Sequence, residues 1–123
     1  MNSKSNTNPK PKTVMDAMKI NTIETFRNLV LFLLSQETFS QKREDGSVEE
    51  GVRVIAEVAK GKASGPFARM RVSVKVLDGT IKVEEDLLEN SDYTVMFKNL
   101  SISYIDGKGN VYFKADDYEV EED

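Results

Sequence analysis

Residues 45–58 have the sequence Asp-Gly-Ser-Val-Glu-Glu-Gly-Val-Arg-Val-Ile-Ala-Glu-Val, which joins a tight-turn signal to an alternating apolar pattern. Asp-Gly pairs favour the positive φ angles of short hairpin turns. The apolar residues that follow stand two positions apart and fall on one face of an extended chain: Val52, Val54, Ala56 and Val58. The stretch therefore predicts a hairpin turn followed by a strand of about residues 48–60.

Two further Asp-Gly pairs, Asp78-Gly79 and Asp106-Gly107, are expected in turns of the same kind. Apolar alternation predicts three more strands on the C-terminal side of this hairpin. They are a strand of 68–76 with Ala68, Met70, Val72, Val74 and Val76 inward, one near 92–104 with Tyr93, Val95 and Phe97, and one near 110–118 with Val111, Phe113 and Ala115. Residues 83–90 are expected to form one or two helical turns between the third and fourth strands.

Residues 21–36 fit two structures. Asn21 with Glu24 three positions later resembles a helix cap, and helical spacing continues through Ile23 and Phe26. The apolar run from Leu29 to Leu34 equally fits a buried strand. We favour a strand from about residue 28, with a helical turn before it as the open alternative.

These elements predict a mainly β, five-stranded antiparallel barrel of OB type, with its short helix between strands 3 and 4. A chain of 123 residues is enough for one such core. The expected organisation is a flexible, polar and basic N-terminal tail over residues 1–20, an OB-like domain over 21–118, and an acidic C-terminal tail over 119–123.

The composition excludes several classes of chemistry. The chain has no cysteine and no histidine, which removes disulfides, Cys or His metal sites, and Cys- or His-dependent catalysis. The acidic clusters at residues 84–86 and 116–117 are interpreted as solvated surface. No catalytic residue, metal site or cofactor is predicted, so we expect a protein that is not an enzyme. The longest apolar run is far shorter than the roughly 20 residues of a membrane span, and a cytoplasmic protein is expected.

The charges suggest a polyanion partner. Residues 1–75 carry 13 basic and 8 acidic side chains, whereas residues 76–123 carry 4 and 13. In the 68–76 strand, the face opposite the apolar one holds Arg69, Arg71 and Lys75 with no acid among them. Cations and exposed aromatic rings together are typical of single-stranded nucleic-acid binding. The predicted DNA contacts are Arg53, Lys60, Lys62, Phe67, Arg69, Arg71, Lys75, Tyr104 and Tyr112, with Lys4, Lys10 and Lys12 in the tail.

Several short stretches resemble a family of small proteins encoded on conjugative plasmids and transposons of Gram-positive bacteria, which includes a helicase processivity factor. Thr25-Phe26-Arg27-Asn28-Leu29 is similar to the opening of the family's first strand, and Tyr112-x-Lys114-Ala115-Asp116-Asp117 to its closing strand. The Asp45-Gly46 turn, the Val72-Ser73-Val74 strand and the strand from Val95 to Asn99 fall between them in the expected order. The likeness covers about residues 25–118.

The resemblance implies a single-stranded DNA-binding accessory protein that supports a host helicase or relaxase during conjugative DNA processing or transfer. Self-association along the DNA is left open. The predicted contact residues come from alternation and charge rather than from the family. The alternative function is a protein–protein interaction module that docks conjugation or phage replication machinery without direct DNA contact.

Overall fold

The computed structural model describes residues 23, 24, 26–60, 68–108 and 111–123. The strands are β1 (Leu31–Lys42), β2 (Val48–Val58), β3 (Arg71–Leu77), β4 (Tyr93–Lys98), β5 (Ser101–Ile105), β6 (Val111–Ala115) and β7 (Asp117–Glu122). One short helix, α1 (Glu85–Asn90), lies between β3 and β4, where a short helix was predicted. Among these residues, no helix is both long enough and apolar enough to cross a membrane.

The three-stranded meander β1–β2–β3 holds most of the core. Val54 lies opposite Gln36 of β1 and Val74 of β3, and the alternating valines that predicted the strands are buried. Phe26 and Phe113 close this core with an edge-to-face ring contact at 5.3 Å between centroids. The alternation of β2 is confirmed, as is that of β3 from Val72 onward.

The sheet has seven strands rather than the five predicted. It curls into a half-barrel with the order β5-β6-β3-β2-β1-β4-β7, and every pair except the parallel β3–β6 pair is antiparallel. The predicted strand of 92–104 is broken after Lys98, where Asn99 has a φ of 54°. The predicted strand of 110–118 ends at Ala115, and β7 begins one residue later. Both breaks lie at the turn from one flank of the half-barrel to the other.

The three Asp-Gly pairs lie in different kinds of connection between elements. Gly46, with a φ of 90°, sits in the turn between β1 and β2, which confirms the first hairpin. The pair at 106–107 follows β5 and precedes its antiparallel partner β6. Asp78-Gly79 does not form a hairpin, because β3 is followed by a loop and α1, and the positive φ of 58° belongs to Asp78.

The start of the first strand and the C-terminal end of the chain differ from the expectation. The first strand begins at Leu31 rather than near residue 28, and it is preceded by a helical turn that includes Phe26, the alternative left open by the sequence. Residues 119–123 are not a free acidic tail, because β7 runs to Glu122 and pairs with β4 along its whole length. Their acidic side chains are exposed, as expected, but the backbone belongs to the sheet. The predicted tail of residues 1–20 lies outside the described residues.

Candidate nucleic-acid interface

The side of the meander opposite the core is an exposed surface, here called the outer face. It consists of side chains that alternate with the buried valines and continues across the parallel β3–β6 pair. The register aligns two rows across the strands. One row contains Glu37, Arg53, Lys75, Lys114 and Ser101, and the other contains Ser35, Ile55, Ser73, Tyr112 and Tyr104. Cations and aromatic rings from strands distant in sequence are thus placed side by side.

Two predicted contacts, Arg53 and Lys75, lie directly opposite each other in this register. The guanidinium carbon of Arg53 is 6.0 Å from the centroid of the Phe39 ring, and Nζ of Lys75 is 5.2 Å from the same centroid. Phe39 was not predicted as a site residue. It pairs with Gly51 in the β1–β2 register, and its ring lies beside both cations. This cluster is the centre of the outer face.

The prediction of a cationic stripe free of acids is wrong, because the neighbouring strand supplies carboxylates. Nε of Arg71 is 3.8 Å from Oε2 of Glu57, and Nζ of Lys75 is 2.8 Å from Oε1 of Glu49. Glu49 also forms an ion pair with Arg43 at the hairpin end. Only 13% of the Glu49 side chain is exposed, which places this carboxylate among its cations rather than in bulk solvent. Alternation within one strand does not reveal such cross-strand pairs.

Arg69 was predicted to lie on the exposed face of the 68–76 strand, and this prediction is wrong. Its φ is 66°, its amide donates to the carbonyl of Val58, and β3 begins only at Arg71. The turn nevertheless brings three predicted cations together around one open cleft of about 570 Å³. The residues that line it are Phe32, Glu57, Ala59, Lys60, Arg69 and Arg71. The cleft continues the outer face beyond the end of β3.

Tyr104 and Tyr112, both predicted contacts, form a stacked pair at the β5 side of the outer face. Their ring centroids are 4.5 Å apart, with 13° between the planes. Interaction with the Tyr104 phenol is the largest cause that raises the pKa of Tyr112, followed by burial and by the carboxylate of Asp106. Tyr104 keeps 53% of its surface exposed. The pair therefore presents a flat aromatic surface to solvent.

Lys114 is a further cation on this face that the sequence analysis did not assign to the site. It is exposed on β6, opposite Lys75 in the parallel register. A basic residue two positions from Tyr112, and so on the same side of the strand, was the available signal. The remaining predicted contacts lie outside the described residues: Lys4, Lys10, Lys12, Lys62 and Phe67.

The opposite flank, formed by β4 and β7, is acidic, and its charges are partly paired. Nζ of Lys98 is 3.0 Å from Oε1 of Glu119, and Nζ of Lys82 is 3.1 Å from Oδ1 of Asp117. Asp116 accepts a hydrogen bond from the Asn99 amide at 2.7 Å. In the described ranges, no cluster of three or more carboxylates is arranged to hold a metal ion. The side chain of Asp116 thus contacts Asn99, and that of Asp117 contacts Lys82.

Comparison of this chain with protein-family models, with curated proteins and with solved structures finds no match.

Proposed function

We propose that the chain is a sequence-tolerant, single-stranded DNA-binding accessory protein that acts in conjugative DNA processing or transfer. The observation that carries the proposal is the row of Arg53, Lys75 and Lys114 across three adjacent strands, with the stacked Tyr104–Tyr112 pair in the row beside it. Cations that follow a backbone, combined with rings on which bases stack, are how proteins bind single strands without reading sequence.

The strand connections support an OB-type barrel. β4 and β5 follow each other across a two-residue break, and β6 and β7 across a single residue. If each pair counts as one bent strand, the order around the half-barrel is 1-2-3-5-4-1 with α1 between strands 3 and 4. The third strand is then parallel to the fifth. In OB-folds, the exposed face of strands 2 and 3 commonly binds oligonucleotides, and here that face holds Arg53 and Lys75.

The binding mechanism would be phosphate neutralisation by Arg53, Arg71, Lys75 and Lys114, with bases stacking on the Tyr104–Tyr112 pair and near Phe39. A phosphate that reaches Lys75 or Arg71 must displace a carboxylate, because Glu49 and Glu57 already hold these two cations. Affinity is therefore expected to be moderate and strongly dependent on salt. The family resemblance supports the conjugative setting and a helicase or relaxase as the protein partner.

The test is fluorescence anisotropy of a labelled oligothymidine across a range of salt concentrations. If four phosphates are neutralised, the logarithmic affinity should fall with logarithmic salt with a slope of about 3, since each contributes about 0.7 on single strands. A labelled oligoadenosine should bind with similar affinity, and duplex DNA should compete poorly. Failure to bind oligothymidine even at low salt would refute the proposal.

A matched pair of lysine variants controls for net charge. Lys75→Gln and Lys98→Gln each remove one lysine that forms an ion pair with a glutamate, one on the outer face and one on the acidic flank. We expect Lys75→Gln to lower the salt slope by about 0.7 and Lys98→Gln to leave it unchanged. Equal effects of the two variants would remove the outer face from the site. For the accessory role, adding the chain to a helicase on a partial duplex should lengthen the unwound tract.

A further inference from the structure

A second surface lies where the sheet opens between β1 and β4, at the edge of the outer face, with which it shares Ser35 and Glu37. These two strands are paired only at Phe32 and Thr94, although β1 continues to Lys42. The loop before α1 and the helix itself stand against this opening. They leave a cleft of about 690 Å³ between the edge of β1 and the helix, here called the β1–α1 cleft.

The β1–α1 cleft has an apolar floor. Leu34 and Ile81 are 37% and 48% exposed, and they adjoin the half-buried Leu88 and the buried Val83. Apolar side chains that remain partly exposed in a concave surface mark sites where another molecule removes them from water. In the described structure, no other part of the chain covers Leu34 or Ile81.

The rim of the cleft is acidic. Glu37 comes from β1, and Glu85 and Glu89 come from α1, while no lysine or arginine lines the cleft. Within the described residues, none of these three carboxylates forms an ion pair. Unpaired like charges around an apolar floor repel phosphate and attract a cationic partner. Nucleic acid is therefore not the occupant that this surface fits.

The cleft is held open by polar contacts beneath it. Oε1 of Gln36 accepts hydrogen bonds from the amides of Lys82 and Val83 at 2.8 and 3.2 Å, and its Nε2 donates to the carbonyl of Val83 at 2.9 Å. These bonds fix the loop to β1 before any ligand arrives. A preformed site loses less conformational entropy when it is occupied.

We propose that the β1–α1 cleft binds a short peptide segment of another protein, in which apolar side chains are flanked by lysines or arginines. The apolar side chains would cover Leu34 and Ile81, and the cations would face Glu37, Glu85 and Glu89. The site does not require the DNA function to be correct. It would allow the chain to hold a basic partner protein at the edge of β1 while the cations and tyrosines of the outer face remain free.

The test uses the full chain and a labelled peptide of about ten residues in which leucines alternate with lysines, the length of a typical groove-binding segment. A second peptide carries glutamates in place of the lysines. The lysine peptide should bind saturably, and the glutamate peptide should not. Leu34→Asn/Ile81→Asn should weaken binding of the lysine peptide by about tenfold. Glu37→Gln/Glu85→Gln/Glu89→Gln should weaken it similarly and reduce its salt dependence.

Two controls distinguish binding at the β1–α1 cleft from nonspecific hydrophobic binding and from an effect of net charge. Met96→Asn alters a side chain on β4 that is 71% exposed, and should leave peptide affinity unchanged. Glu119→Gln/Glu121→Gln/Glu122→Gln removes the same charge from β7 and should change affinity less than about twofold. All variants are checked for folding by circular dichroism. The proposal is overturned if the lysine peptide does not bind, or if either control weakens binding as much as its cleft counterpart.

Discussion

The hydroxyl oxygen of Tyr118 lies 2.8 Å from Oε1 of Gln36, joining β7 to β1 beneath the sheet. The same hydroxyl lies 2.7 Å from the carbonyl oxygen of Thr80, and the Gln36 amide binds the backbone of Lys82 and Val83. Two strands and the loop before α1 therefore meet at one polar centre. Tyr118 is fully buried by neighbouring atoms, so its hydroxyl depends on these partners.

Tyr118→Phe should test this centre directly. The hydroxyl has one proton to donate, and Oε1 of Gln36 keeps the amides of Lys82 and Val83 as donors. The change therefore removes one buried hydrogen bond, which typically costs about 0.5–1.5 kcal/mol. We expect a lower urea midpoint with an unchanged m-value. Tyr93→Phe is the control, because its hydroxyl is exposed and lies 3.5 Å from Glu122; that change should cost less than about 0.5 kcal/mol. Equal stabilities of the two variants would contradict a stabilising role for the Tyr118 hydroxyl.

Asp117 should contribute to loss of stability in acid. The hydrogen bond from the Tyr118 amide is the largest cause that lowers the pKa of Asp117 below 3.8, followed by Lys82. Because the folded-state pKa lies below the unfolded value, this stabilisation is present above pH 3.8 and is lost as the pH falls through the folded-state pKa. Urea titrations between pH 7 and pH 2 should show that the unfolding free energy of Asp117→Asn falls less steeply in acid than that of the unmodified chain. Lys82→Gln should show a partial effect. If the unfolding free energy of both variants falls with pH as it does in the unmodified chain, this contribution is excluded.

Gly51 is required by close backbone packing between β2 and β3. A Cβ at this position would lie 2.1 Å from the carbonyl oxygen of Val76 and 2.9 Å from the amide nitrogen of Asp78. Gly51→Ala must push the two strands apart, and a loss of about 1–3 kcal/mol or more in unfolding free energy is expected. Gly107→Ala, where nothing lies within 4 Å, should change stability by less than about 0.5 kcal/mol. A stable Gly51→Ala protein would show that the strands can separate at low cost.

Phe39 should report directly on base stacking. The chain contains no tryptophan, so Phe39→Trp introduces a single tryptophan, beside Arg53 and Lys75, whose emission can be excited selectively. Its emission should be quenched by oligothymidine while affinity is retained. Phe39→Ala should bind about tenfold more weakly, since stacking on one base contributes about 1–3 kcal/mol. Normal affinity in Phe39→Ala without quenching in Phe39→Trp would leave DNA binding to the tyrosine pair and remove Phe39 from the site.

The parts of the fold that local pattern controls were predictable. Alternating valines identified β2 and the core side of β3, and Asp45-Gly46 identified the β1–β2 turn, because two-residue periodicity and turn chemistry are properties of neighbouring residues. The breaks at Asn99 and Asp116 were not predictable in this way. Strand-forming residues continue on both sides of each break, and only the curvature of the whole sheet makes the chain turn there.

The candidate site likewise has features that the sequence predicts and features that it does not. Exposure of Arg53, Arg71 and Tyr104 follows from alternation, and the structure agrees. The ion pairs made by Glu49 and Glu57 depend on the register between β2 and β3, which one strand's sequence does not contain. The position of Phe39 beside Arg53 and Lys75 depends on the register between β1 and β2. Cross-strand geometry therefore determines how many cations are available to a phosphate.

Glu49 should act as an internal competitor of the DNA backbone. Its carboxylate holds Lys75 at 2.8 Å and also pairs with Arg43, so a phosphate must replace it to reach Lys75. Glu49→Gln removes the competing charge and should tighten oligothymidine binding several-fold, with a salt slope close to that of the unmodified chain because the same four phosphates are neutralised. Glu121→Gln makes the same charge change on β7, away from the outer face. Because distant exposed charges are screened beyond about 10 Å at 0.1 M salt, its effect should be small and should leave the slope unchanged. Equal tightening in the two variants would show that Glu49 acts only through net charge.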